Sequence, residues 1–151
     1  MTPSATRSRR ARAVAALVAA AAAAILFGVA AAGGEDAPAA GTTMVEITAH
    51  QSRFTPASVT VPAGATVRFV IHNLDPIDHE FIVGGPEVHR QHEVGREAHH
   101  RGELPGEISV PAGATVSTTW TAPSSPGPVT YACHLPEHFA YGMAGVVHLT
   151  P

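Results

Sequence analysis

Short runs of alternating apolar and polar residues fill the last two thirds of the chain. Residues 65–71 place Val67, Phe69 and Ile71 at every second position, and residues 114–120 repeat the arrangement. A period of two is typical of a strand that buries one face. About eight such runs, bounded by proline and glycine, follow one another within roughly a hundred residues. The pattern therefore predicts an all-β protein built as a sandwich or barrel.

One seven-residue sequence occurs twice without change. Residues 61–67 read VPAGATV, and residues 110–116 read the same. In each copy an alternating run ends at the proline and another begins after the glycine, which predicts two similar strand–turn–strand connections. Two copies are too few for a repeat array.

The N-terminal part of the chain has a different character. Residues 1–12 carry four arginines and no acid, and residues 13–32 are apolar and mostly alanine. This order predicts a signal peptide at 1–32, or an uncleaved N-terminal membrane anchor, since twenty apolar residues are long enough to span a bilayer. Residues 33–43 are expected to form a flexible linker, and 44–151 one folded domain. We therefore expect an exported, periplasmic or otherwise extracytoplasmic protein, with membrane attachment only through that segment.

The charge balance narrows the choice of partners. The region after residue 32 holds all twelve acids and only five of the nine arginines, a net charge of about −7 with neutral histidines, and the chain has no lysine. Nucleic-acid binding needs a basic face, so we expect no nucleic-acid partner. The single cysteine cannot form an internal disulfide, so in an exported protein its thiol either pairs with another chain or has a specific role.

That cysteine begins a distinctive spacing of possible metal ligands. Cys133 is followed after four residues by His138, and His138 after four more by Met143. Thiolate, imidazole and thioether suit a soft or borderline metal, and two histidines, one cysteine and a weak axial methionine make a blue-copper site. His79 is the best candidate for the second histidine, because Phe81 and Val83 follow it at even spacing and would turn it inward.

Three segments resemble the cupredoxins, the small blue copper proteins, and the similarity extends over residues 44–151. Phe54–Pro56 resembles the opening strands of that family, Asn73–Asp75 its first-ligand segment, and Tyr131–Gly145 its ligand loop. The resemblance implies a Greek-key β-sandwich of about eight strands. It also implies one type 1 copper per chain, with His79, Cys133 and His138 as equatorial ligands. Met143 would be the axial ligand.

The resemblance further implies a one-electron carrier between extracytoplasmic redox proteins, a donor and an acceptor. The electron would pass through His138, surrounded by an apolar docking patch of Leu135, Pro136, Phe139 and Ala140. We expect a monomer and no enzymatic activity, because a catalytic copper would require a further set of histidine ligands that one such domain lacks.

Several histidines fall outside this scheme. The segment 86–107 is expected to be a long irregular loop, and it contains His89, His92, His99 and His100. We interpret it as a solvated loop; the alternative is an accessory metal site, since histidine-rich tracts bind metals, and with it copper sequestration or delivery as the function. His134 is interpreted as an outward-facing loop histidine. Glu80 either bonds near the cysteine or points to solvent.

Overall fold

The computed structural model describes residues 41–93 and 104–151, which form nine strands in two sheets and one short helix. The expected β-sandwich is confirmed. One sheet has four strands in the order β2-β1-β4-β7, with these bounds: β1 Thr42–His50, β2 Arg53–Thr55, β4 Thr66–Asn73 and β7 Thr115–Thr121. The other has five in the order β3-β9-β8-β5-β6: β3 Ser58–Pro62, β5 His79–Gly84, β6 Glu107–Val110, β8 Gly127–Ala132 and β9 Ala144–Thr150.

The pairing brings the predicted ligand segments to neighbouring strands. β5 lies between β6 and β8, antiparallel to both, and β8 pairs with β9. His79 is the first residue of β5 and pairs with Val110, while Ile82 pairs with Ala132, the last residue of β8. The start of β5 therefore lies at the same end of the sheet as the loop that joins β8 to β9.

The alternating positions form the core between the two sheets, as the sequence predicts. Val67, Phe69 and Ile71 are fully buried on β4. Opposite them, the Phe81 ring lies 5.0 Å from the Phe69 ring and 5.3 Å from the Tyr131 ring, measured between centroids. This aromatic packing supports the strand ends that carry the ligand segments.

The two VPAGATV copies form equivalent turns. The N–H of Ala65 donates to the Pro62 carbonyl, and the N–H of Ala114 donates to the Pro111 carbonyl. Gly64 and Gly113 have φ angles of +76° and +68°, which a residue with a Cβ adopts only with strain. The prediction of two strand–turn–strand connections is confirmed.

The prediction of an irregular loop over residues 86–107 is wrong at its start, where helix α1 spans Pro86–Glu93. Proline is well suited to the first helical position, and Glu87 places an acid in the first turn. Val88 packs against Gly84 so closely that a Cβ there would lie 2.8 Å from a Val88 methyl. The helix was missed because it is short and buries two histidines instead of an apolar stripe.

Some predictions concern residues that the structure does not describe. These include the signal or anchor segment 1–32, most of the linker, and His99 and His100. Strand β1 begins at Thr42, slightly before the expected domain start at Met44. Within the two described ranges, no helix is long and apolar enough to cross a membrane.

Candidate metal centre

Three of the four predicted ligands converge at one end of the sandwich. The Nδ1 atom of His138 lies 3.3 Å from the Nδ1 atom of His79 and 3.3 Å from the Sγ atom of Cys133. The three donor atoms all lie within 4.8 Å of one another. Cys133 and His79 are buried, with 0 % and 1 % exposure, while His138 is partly exposed.

Backbone hydrogen bonds close the loop that carries Cys133, His138 and Met143. The Cys133 N–H donates to the Met143 carbonyl at 3.1 Å, and the Met143 N–H donates to the His138 carbonyl at 2.9 Å. Met143 is fully buried directly before β9. The loop is thus anchored by two paired strands, which fixes the backbone of each candidate before a metal binds.

The tautomer of His79 follows from its neighbour Asp75. The His79 Nε2–H donates to the Asp75 Oδ2 atom at 2.8 Å, because the carboxylate can only accept. The lone pair is therefore on Nδ1, the atom that faces His138. A histidine ligand commonly donates its second ring N–H to a carboxylate in this way. Asp75 was predicted only as part of the first-ligand segment, although an acid four residues before a candidate ligand was a usable signal for a partner of His79.

Asp75 is held as a carboxylate by several donors. Its oxygens accept the backbone N–H of Gln51 at 2.7 Å and of Ser52 at 2.9 Å. Burial alone would raise the pKa of Asp75, but the hydrogen bonds from Ser52, Gln51 and His79 outweigh burial and lower the pKa below its ordinary value of 3.8. Asp75 is therefore charged at neutral pH and connects the β1–β2 turn to the candidate ligand.

The sulfur of Cys133 is also positioned by the backbone. The Glu80 N–H points at Sγ from 3.3 Å, and Glu80 is buried, so of the two alternatives for this residue the solvent-facing one is wrong. Burial raises the pKa of the Cys133 thiol to about 11, although the N–H groups of Glu80 and Leu135 act in the opposite direction. Without a metal the thiol is protonated at neutral pH.

The buried Asn73 fixes the segment between β4 and His79. Its Nδ2 group donates to the carbonyls of Ile77, Val110 and Pro111 at 2.8 to 3.1 Å, and its Oδ1 accepts the N–H of Asp75. These bonds join the segment to β6 and hold Asp75 in place beneath His79.

The donor set fits copper. His138 Nδ1 lies 3.3 Å from both other donor atoms, so one ion could contact all three donors. A buried set of two imidazoles and one thiolate suits both oxidation states of copper. Among the described residues, His79, Cys133 and His138 form the one group of three or more His, Cys, Asp or Glu residues whose donor atoms all lie within 4.8 Å of one another. The assignment of all four residues as ligands stays a prediction.

Replacing Asp75 with asparagine is expected to weaken copper binding about 10- to 100-fold, as is usual when the partner of a ligating histidine is altered. Asparagine keeps an acceptor for His79 but loses the charge, and its amide nitrogen cannot accept a backbone N–H. The dissociation constant of Cu(II) measures the effect. Asp78→Asn is the matched control, because Asp78 is exposed on the same loop and accepts the Ala112 N–H instead of bonding to His79. Equal losses in both variants would contradict this role for Asp75.

A second group of histidines lies beside the loop, and two interpretations of the sequence were wrong. His134 is partly buried instead of facing outward, with its Nε2 atom 2.8 Å from the Nδ1 atom of His89. His89 and His92 are only 7 % and 6 % exposed instead of lying in a solvated loop. Helix α1 is the reason, because it turns His89 toward the Thr130 carbonyl of β8 and His92 toward Glu107 of β6. Burial first, and then the proximity of His89 and His92, lowers the pKa of His134 to about 4.

This shift predicts a pH-dependent stability for the metal-free chain. Between pH 6.5 and about 4 the unfolded chain binds a proton at His134 that the folded chain does not, so the free energy of unfolding falls as the pH falls through this range. The loss is on the order of 2 kcal/mol, discounted because the ring is only half-buried. His134→Gln should remove this part of the difference between urea unfolding at pH 7 and at pH 4.5.

The His138 pKa is also lowered, first by burial, and contributes with the same sign in both chains. The comparison therefore isolates His134. His148→Gln, at an exposed strand position, controls for the substitution itself. Parallel profiles for the parent and His134→Gln would show that His134 does not resist protonation.

The sequence matches one protein-family model and two relatives that are described as copper proteins. The family model of the cupredoxin-like domain matches residues 17–143. The copper-resistant cuproprotein CopI of Rubrivivax gelatinosus is 36 % identical over 114 residues, which cover 74 % of this chain and 68 % of that protein. CopI of Pseudomonas aeruginosa is 26 % identical over 140 residues, covering 71 % and 76 %.

Solved structures of auracyanins share the fold. The dithionite-reduced auracyanin of Roseiflexus castenholzii has a TM-score of 0.59 and 26 % identity, covering 72 % of this chain and 98 % of its own. Auracyanin A of Chloroflexus aurantiacus, described as a blue copper protein, has a TM-score of 0.58 and 25 % identity, covering 73 % and 100 %. The predicted cofactor, copper, is confirmed at the level of the family. With the sandwich, the converging His–Cys–His donors and a family match over most of its length, the chain belongs to the cupredoxin-like family.

Proposed function

We propose that the chain is an exported type 1 copper protein that carries one electron between extracytoplasmic redox proteins. The observation that carries the proposal is the convergence of His79 Nδ1, His138 Nδ1 and Cys133 Sγ on one buried point. Met143 is the proposed axial ligand, supported by its full burial and by its backbone hydrogen bonds to Cys133 and His138. Copper, when bound, supplies the one-electron couple.

The chain's own residues prepare this site for electron transfer. The Cys133 thiol, with a pKa of about 11, must lose its proton when copper binds, so copper affinity should increase as the pH rises. Asp75 orients His79, and the Glu80 N–H donates toward the sulfur. These contacts hold the donor atoms in place, so little rearrangement should accompany a change of oxidation state.

The surface around His138 suits a weak redox encounter. The docking patch predicted from the sequence includes Pro136 and Ala140, which are exposed, and Phe139, which is 37 % exposed. Leu135 instead packs partly against the core. The patch is small and apolar, as expected for transient electron-transfer contacts. A separate donor and acceptor, and a monomeric carrier, are part of this proposal.

Export is supported by the sequence. The four arginines and the apolar run within residues 1–32 form a signal peptide or a retained anchor. Residues 33–43 would then connect this segment to the copper domain, which we place at 44–151.

Copper resistance is the second candidate function, favoured by the CopI relatives and in particular by the 36 % identity to the Rubrivivax gelatinosus protein. In this role the chain would bind or deliver copper outside the cytoplasm. The histidines of segment 86–107 would contribute ligands to an accessory metal site.

Voltammetry of the copper-loaded chain separates the two functions. An electron carrier should show a reversible one-electron couple and fast self-exchange, measured by NMR line broadening in mixtures of the oxidised and reduced protein. A chain that binds copper but shows no reversible couple would contradict the carrier and favour sequestration. We expect no substrate turnover from the proposed carrier, because electron transfer requires only the redox couple.

A further inference from the structure

A second set of metal-binding side chains lies next to the ligand loop and is not used by the proposed carrier. It consists of His89 and His92 on α1, His134 directly after Cys133, and Glu107 at the start of β6. They form two close pairs: His89 Nδ1 lies 2.8 Å from His134 Nε2, and His92 Nε2 lies 3.3 Å from Glu107 Oε2. We call this set the histidine cluster.

The backbone fixes the tautomer of His89. Its Nε2 atom lies 3.2 Å from the carbonyl oxygens of both Gly84 and Thr130. Carbonyl oxygens only accept, so Nε2 carries the proton and Nδ1 presents its lone pair to His134. A histidine whose second ring nitrogen donates to a backbone carbonyl has the arrangement usual for a metal ligand.

The backbone fixes His92 in the same way, at the opposite ring atom. Its Nδ1 faces the Val88 carbonyl at 2.8 Å and therefore donates to it, so in the neutral ring the lone pair is on Nε2. That lone pair faces the Glu107 carboxylate, and the two side chains are only 3 % and 14 % exposed. Two electron-rich atoms in a buried space repel unless a proton or a metal cation lies between them.

His134 joins the two pairs. Its ring centroid lies 5.1 Å from that of His89 and 5.7 Å from that of His92. The Phe139 ring covers it from 5.0 Å. A cavity of about 450 Å³, lined in part by His89 and Phe139, opens beside the cluster and offers a path for an ion.

We infer that the histidine cluster is a second metal site, with His89, His92 and His134 as nitrogen ligands and Glu107 as an oxygen ligand. The site takes a divalent first-row metal ion and binds Cu(II) most tightly, because three imidazoles and one carboxylate follow the usual order of metal affinities. Two nitrogens in neighbouring positions of a square-planar ion, each about 2.0 Å from it, lie about 2.8 Å apart, as His89 and His134 do. This inference goes beyond the proposed electron carrier.

The second site is less completely assembled than the first. No three of these four residues bring their donor atoms within 4.8 Å of one another, so His92 and Glu107 must turn toward His134 when the ion enters. The cluster should therefore bind more weakly than the Cys133 site and fill after it.

Copper titration of the full chain tests the inference. Cys133→Ala removes the thiolate site, and Cu(II) binding to the cluster is then followed by equilibrium dialysis and by electron paramagnetic resonance, with imidazole nitrogens detected by pulsed methods. Adding either His89→Gln or His92→Gln should weaken the binding of this ion at least about tenfold. Adding His148→Gln should leave it unchanged.

Retained Cu(II) affinity in both the His89→Gln and His92→Gln chains would overturn the inference, as would loss in the control chain alone. The same two substitutions in chains that keep Cys133 check folding, because the first equivalent should still give its visible absorption band. That comparison also separates the two sites: the thiolate site fails if the band is absent, and the cluster fails if only the second equivalent is absent.

Discussion

Replacing Cys133 with alanine is expected to abolish the intense visible absorption of the copper-loaded chain and to weaken Cu(II) binding by more than about 100-fold. The absorption requires charge transfer from a thiolate to Cu(II), and Cys133 is the chain's one sulfhydryl group. The remaining candidates, two imidazoles and a thioether, offer no anionic sulfur. Visible spectra recorded during stepwise addition of Cu(II) measure both the band and the affinity.

His148→Gln is the control for this experiment, because His148 is an exposed strand residue on β9 and lies outside both sets of candidate ligands. It should keep the band at full intensity. A band of unchanged intensity in the Cys133→Ala chain would show that copper absorbs at another site.

Gly145→Ala is expected to lower the free energy of unfolding by about 3 kcal/mol, at the upper end of the cost of overpacking a core. A Cβ at Gly145 would lie 2.2 Å from Cζ and 2.3 Å from the hydroxyl of Tyr131, far inside van der Waals contact. Tyr131 is fully buried and its hydroxyl donates to the Pro56 carbonyl, so the ring has little room to move. Urea unfolding of the metal-free chain measures the loss.

The clash also affects the site, because Tyr131 and Gly145 are directly paired on β8 and β9. These strands hold the two ends of the ligand loop, so copper affinity should fall together with stability. Gly85→Ala is the matched control, since a Cβ there meets nothing within 4 Å. A loss of stability no larger in Gly145→Ala than in Gly85→Ala would contradict the close packing of Tyr131 on β9.

Local patterns in the sequence predicted the β-sandwich and named three candidate ligands whose donor atoms lie close together in the structure. The period of two along β4 and β7 predicted the buried faces, and the repeated VPAGATV turns predicted two connections between strands. Cys133 and His138 lie in one short loop, so their spacing in the sequence was informative. His79 was found because the apolar residues after it indicated which way it faces.

Contacts between distant segments could not be predicted. His134 is buried by α1, a helix that begins 48 residues before it, and neither segment indicates the other. Asp75 accepts from a turn 23 and 24 residues earlier as well as from His79. Polar residues carry no hydrophobic period, so a helix that buries histidines was interpreted as a loop.

The electron-carrier and copper-resistance functions depend differently on the two sets of side chains. A carrier needs only the site around Cys133, with its rigid backbone contacts. Copper binding beyond one equivalent needs the histidine cluster. The number of ions bound and the reversibility of the redox couple therefore distinguish the two functions within one preparation.

X-ray absorption at the copper edge, on the chain loaded with one equivalent of copper, tests the central claim most directly. The account predicts one short copper–sulfur distance together with two imidazole nitrogens at about 2.0 Å, and loss of that sulfur contribution in Cys133→Ala. A copper surrounded only by nitrogen and oxygen at one equivalent would contradict the type 1 site and assign the first copper to the histidines instead.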